Sequence, residues 1–144
     1  MDSLNVKPPA WFWAVAVLAL LWNLMGASAY LTQAFLSADA VANMPAAERT
    51  LLESQPAWVT AAFAIAVWGG LLASIFLLAR KKWATTLFGI SLLGVLAQQT
   101  YLFFLSNAME VYGPAGLIMP VSVFLVAVAL LLFSRSAEAR QWLG

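Results

Sequence analysis

Asn23, Gly26, Tyr30 and Gln33 recur at steps of three and four, the spacing that puts side chains on one face of a helix. Trp22 adjoins the first of them. Further along, Ser91, Gly94, Gln98 and Tyr101 repeat the pattern, with Gln99 and Thr100 beside them, and Trp68 precedes Gly69 and Gly70. Carboxamides, phenols and indoles donate and accept hydrogen bonds but are poor nucleophiles and poor proton carriers near neutral pH. Their chemistry is recognition. Rings can lie on the C–H faces of a neutral polyhydroxy or amphiphilic molecule while amides serve its hydroxyls. The candidate ligand-binding residues are therefore Trp22, Asn23, Tyr30, Gln33, Trp68, Gln98, Gln99 and Tyr101, with Glu110 at the mouth.

Other chemistries are short of parts. The chain has neither histidine nor cysteine, which removes the usual general base, the commonest metal ligand, thiol nucleophiles and disulfides. It carries no nucleotide-binding loop, catalytic triad, metal cluster or paired carboxylates, so no cofactor or metal is expected. Its seven basic and six acidic residues fall in loops, tails or span ends. That placement argues against an ion-coupled pump, which needs ionisable groups inside the membrane. Glu110 comes nearest, and its alternative is an ordinary solvated loop residue. With no basic face, nucleic acid is not an expected partner.

The elements that must position these residues follow from composition. The sequence is 64% hydrophobic and 9% charged, with seven tryptophans, and a soluble domain of that composition could not cover its surface. Four apolar runs, about residues 11–35, 56–79, 83–106 and 114–133, are each long enough to cross roughly 30 Å of hydrocarbon. The expected fold is an all-α membrane protein. It is an antiparallel four-helix transmembrane bundle forming a single domain over residues 1–144, with the lipid bilayer as its surroundings.

Pro8 and Pro9 suit the start of the first span, and Trp11 and Trp13 suit an interfacial belt. A signal peptide cleaved near Ala27-Ser28-Ala29 is the competing interpretation of that segment. Against it, the lead carries only Lys7 and the amino terminus as positive charges, opposed by Asp2, and the apolar run is long. Residues 36–55 form the longest connection. There Ala46 to Glu53 suits a short surface helix with Leu51 and Leu52 turned toward the membrane, or else a solvated loop. Pro120 should kink the fourth span or free a carbonyl for another partner. Residues 134–144 read as a polar tail.

Charge sets the orientation. Lys7, Arg80, Lys81, Lys82, Arg135 and Arg140 fall on one side of this topology and Arg49 on the other. The positive-inside rule makes both termini and the Arg80 turn cytoplasmic. Asp39, Glu48, Glu53 and Glu110 then face outward. Ala62, Ala66, Gly70 and Ser74 form a small-residue ridge on the second span. Such ridges admit close helix approach in lipid, within one chain or between chains.

Asn23 lies about twelve residues and Gln98 about fifteen from the cytoplasmic ends of their spans, at depths within reach in a bundle. An amide facing lipid would leave its polar groups unpaired at a cost of several kcal/mol. Two arrangements satisfy them. Amides and indoles can bond one another as interhelical glue, or they can line an outward-opening cavity.

The segments at 7–13 (KPPAWFW), 21–26 (LWNLMG), 56–64 (PAWVTAAFA), 80–84 (RKKWA) and 113–120 (GPAGLIMP) resemble those of a family of small bacterial four-span inner-membrane proteins. Some members carry the automatic label "sugar transporter". The likeness covers nearly the whole chain and implies the topology and a bacterial inner-membrane setting. Three functions remain in view. The first is binding or permeation of a small neutral solute such as a sugar, as a homo-oligomer. The second is an accessory or assembly subunit whose ridge docks a membrane-protein partner. The third is an enzyme acting on lipid, which would need an unusual base.

Overall fold

The computed structural model describes residues 6–144; Asp2 and the amino terminus, weighed above against a signal peptide, lie outside them. Four helices are long and apolar enough to cross a membrane. The protein is an all-α, multi-pass membrane bundle. Helix α1 spans Ala10–Ala34, α2 Ala38–Ala42, α3 Ala46–Glu53, α4 Ala57–Leu78 and α5 Trp83–Thr100. A wide π-helical turn, Tyr101–Leu105, prolongs α5. Short α6 (Ala108–Tyr112) and a 3₁₀ turn (Pro114–Leu117) then lead into α7, Ile118–Ala139.

Proline marks the helix starts. Pro9, Pro45 and Pro56 occupy the N-cap positions of α1, α3 and α4, and Pro114 opens the 3₁₀ turn. At these positions the missing N–H costs nothing, because the first amides of a helix have no intrahelical partner. Pro120 falls in the first turn of α7 for the same reason, so α7 runs on unbroken. Helix α7 also continues past Phe133 to Ala139, where a polar tail was expected, because Ser134 to Ala139 contains nothing that stops a helix. Gly113 ends α6 at φ 70°, ψ −171°, a conformation open essentially to glycine alone.

The membrane helices neighbour one another in the order α1, α4, α5, α7. Helices α1 and α4 run antiparallel, since Asn23 bonds Ser74 while Tyr30 meets Phe63, and so do α4 and α5, where Ser91 bonds Ala66 while Gly94 abuts Ala62. The α4–α5 seam is the tightest. A Cβ on Gly94 would lie 2.7 Å from the Ala62 carbonyl and 2.8 Å from the Ala66 amide. Ser91 bridges the seam by donating to the Ala66 carbonyl at 2.6 Å. In lipid this kind of close backbone contact, rather than water expulsion, holds helices together. Ala62, Ala66, Gly70 and Ser74 are all buried within the chain.

At one end a compact core joins all four helices to the last residues. Phe12, Leu77, Ala84, Phe88, Ala137, Trp142 and Leu143 are buried there. Trp11 and Phe12 meet both Phe133 and Trp142 ring to ring. The turn after α4 organises this end. Arg80 takes φ 58°, and Gln141, after α7, takes φ 63°. Each closes a Schellman motif: Lys81 N–H bonds the Phe76 carbonyl at 2.8 Å, and Trp142 N–H the Ala137 carbonyl at 2.9 Å. Arg80 then donates from Nε to the Trp142 carbonyl and from Nη2 to the Val6 carbonyl, both at 2.8 Å. Gly144 donates to the Arg80 carbonyl and accepts from Lys82 N–H, at 2.8 and 3.0 Å.

At the other end α2 and α3 fold over the connection. Arg49 donates to the Ala42 carbonyl at 3.2 Å, and Leu51 and Leu52 are half-buried. Helix α3 meets α6. Burial first, and the negative charge of Glu48 second, hold the Tyr112 phenol above its ordinary value.

Candidate functional site

A cavity of about 380 Å³ lies among α1, α4, α5 and α7. Its volume falls in the usual range for small-molecule pockets. Trp22, Asn23, Met25 and Gly26 line it from α1, and Phe63, Ala66, Val67 and Gly70 from α4. Helix α5 contributes Phe88, Ser91, Val95, Gln98 and Gln99, and the start of the π-helical turn adds Leu102. The α7 wall runs from Met119 and Pro120 through Val123, Val126 and Ala127 to Leu130. Most of this surface is apolar. Its polar side chains are neutral: Asn23, Ser91, Gln98 and Gln99.

Asn23 is held firmly. Its Nδ2 donates to the Ala19 carbonyl at 2.8 Å and to Ser74 Oγ at 3.0 Å, and Ser74 donates onward to the Gly70 carbonyl at 2.9 Å. Gly70 makes room for it. A Cβ there would collide with Asn23 Oδ1 and come within 3.2 Å of Ser91 Oγ. Gln99 donates from Nε2 to the Pro120 carbonyl at 2.7 Å, which ties α5 to the first turn of α7. Neither the kink nor the freed carbonyl expected of Pro120 arises, because in the first turn of α7 its missing N–H leaves no intrahelical carbonyl without a donor; Gln99 bonds Pro120's own carbonyl instead. Gln98 has no hydrogen-bond partner among the described residues, although its side chain lines the cavity and is half-buried.

The residues singled out from the sequence divide into groups. Trp22, Asn23, Gln98 and Gln99 share the cavity, as do Ala66 and Gly70 of the small-residue ridge. Tyr30 and Gln33 line a second pocket of about 300 Å³, together with Leu36, Val41, Leu52, Gln55 and Thr60, beneath α2 and α3. Tyr30 also stands between the two spaces. Its ring meets Phe63, which lines the inner cavity, at 5.3 Å, and Trp68 at 5.9 Å. Trp68 lines neither space and is 36% exposed. Tyr101 packs edge-on against Trp58 at 5.9 Å. Glu110 is exposed on α6. Among the described residues, neither Trp22 nor Trp68 bonds an amide through its indole N–H.

Sequence reasoning missed the α7 wall. That helix is apolar on every side, so no face stands out. The aromatic residues Phe63 and Phe88 gave no signal for the same reason. No family model, curated protein or solved structure matches the chain.

Proposed function

We propose that this membrane protein binds a small neutral, hydroxyl-bearing molecule in the four-helix cavity, sugars and other polyols being one class. The observation that carries this is Gln98. It presents a carboxamide without a protein partner to the cavity, and with water excluded an unpaired amide there would cost about 1–3 kcal/mol. A ligand hydroxyl between Gln98 and the Gln99 carbonyl would remove that cost. The ring of Trp22 and the apolar α7 wall would take the ligand's C–H surface.

The setting we infer is a bacterial inner membrane with both termini and the Arg80 turn cytoplasmic. It is supported by the family resemblance and by the gathering of Lys7, the Arg80 turn, Arg135 and Arg140 at one end. A second reading, a homo-oligomer or a membrane-protein partner, is favoured by α7. None of the most apolar stretch of its span is buried within the chain.

The test is thermal stabilisation of the purified protein in nanodiscs by a panel of monosaccharides, polyols and glycerides. At least one compound should raise Tm in the native protein and lose its effect in both Gln98→Leu and Ala127→Trp. A panel without effect, or an effect untouched by both substitutions, would refute the cavity as a binding site.

A further inference from the structure

Resting on that proposal, the geometry points to a narrower class: an uncharged, single-chain lipid with a hydroxylated head, entering sideways from the bilayer between α1 and α7. Three observations converge on it.

The first is the route. Helices α1 and α7 close the series α1, α4, α5, α7 without an extended interface of their own; they meet through Trp11 and Phe12 against Phe133. Above that contact the cavity wall includes Met25 on α1 and Met119 on α7, which are 63% and 61% exposed. The back wall is closed, since Ala66, Gly70, Ser91 and Val95 are buried where α4 and α5 pack. The mouth therefore faces hydrocarbon, and flexible methionine side chains flank it.

The second is the obstruction on the other route. A water-borne solute coming through the outer pocket would meet the Tyr30–Phe63 ring pair, one ring of which lines that pocket and the other the cavity. A free polyol could use the lateral mouth only by shedding its water into hydrocarbon, which is costly for every hydroxyl. A single-chain lipid bears that cost for its head too, but its chain already holds it in the membrane and adds apolar surface for the cavity to bury.

The third is the pattern of unused hydrogen-bonding groups. Asn23 commits both N–H groups, Ser91 its hydroxyl and Gln99 one N–H to the protein. The carbonyl oxygens of Asn23, Gln98 and Gln99 accept nothing among the described residues. With both N–H groups of Gln98 and one of Gln99 also unused, the site offers acceptors and donors together, which suits hydroxyls, since each can donate and accept. Val126, Ala127, Leu130 and Phe88 also line the cavity, and this apolar part of its wall suits one alkyl chain.

The experiment compares four probes on the protein in nanodiscs: monodecanoylglycerol, decane, glycerol and glucose. The glyceride should raise Tm by about 3–6 °C at roughly tenfold its Kd. The other three should not, and the gain should vanish in Gln98→Leu and in Ala127→Phe, which crowds the apolar part of the wall. Should Gln98→Leu fail to fold, Ala127→Phe decides alone. Glucose or glycerol acting while the glyceride is inert would overturn the lipid class yet leave cavity binding standing. Decane acting equally would overturn the role of the hydroxyls. Silence from all four, or a glyceride gain retained by the variants, would overturn the lipid site. The sequence has no native cysteine, so disulfide formation between copies of Met25→Cys or Met119→Cys would place protein in the mouth and overturn the lipid occupant.

Discussion

Arg80 and Gln141 occupy the same unfavourable left-handed region, at φ 58° and 63°, for different reasons. Each costs about 1–2 kcal/mol relative to glycine at that position. At Arg80 the guanidinium returns more than this by bonding two backbone carbonyls, of Val6 and Trp142, because hydrogen bonds from a charged donor are worth about 1.5–3 kcal/mol each. The Gln141 side chain is exposed and forms no such bond. Gln141→Gly should therefore stabilise the protein by about 1 kcal/mol, and Arg80→Gly should destabilise it by about 1–3 kcal/mol while relieving the same strain. Reversible unfolding in mixed micelles would measure both. Equal shifts of the same sign would mean the Arg80 bonds contribute nothing.

Among the elements, the α4–α5 pair is the rigid spine against which the cavity is built. Two glycines of α5 separate packing from helix propensity. At Gly94 a new methyl group would meet the backbone of Ala62 and Ala66, which cannot yield, whereas at Gly89 nothing lies within 4 Å. Gly94→Ala should lose about 1–3 kcal/mol through overpacking, and Gly89→Ala should gain up to about 1 kcal/mol from helix propensity. The same unfolding measurement reads both.

The four spans were legible because apolar runs of membrane length have few other uses. That Asn23, Gln98 and Gln99 turn toward one interior space was legible because amides are rare in such runs and are costly to leave facing lipid; Trp22 comes with Asn23 as its neighbour. Tyr30 and Gln33 sit on the helical face of Asn23 too, but a turn or more further out, where α2 and α3 enclose a separate pocket that no spacing rule announces. Tyr101 sits where α5 widens into the π-helical turn, which shifts the register that placed it beside Gln98. Trp142 looked like the end of a polar tail. Its burial depends on a left-handed turn at Gln141 and on backbone carbonyls, neither of which leaves a mark in residue type.

For the whole molecule, the contacts of Arg80 with Val6 and Trp142 bring the start of α1, the α4–α5 turn and the end of α7 together. Six of the seven basic residues lie there. The inferred orientation is tested by single cysteines in a chain that has none. Asn43→Cys should react with an impermeant maleimide in intact cells, and Lys81→Cys only after the membrane is permeabilised. The reverse pattern would invert the topology.

Residues Trp142 to Gly144 leave the ribosome after all four helices. The packing of Trp142 and Leu143 against Phe12, Leu77 and Phe88 can therefore form only once those helices are in place, so this end of the bundle is the part of the core that is completed after the spans themselves.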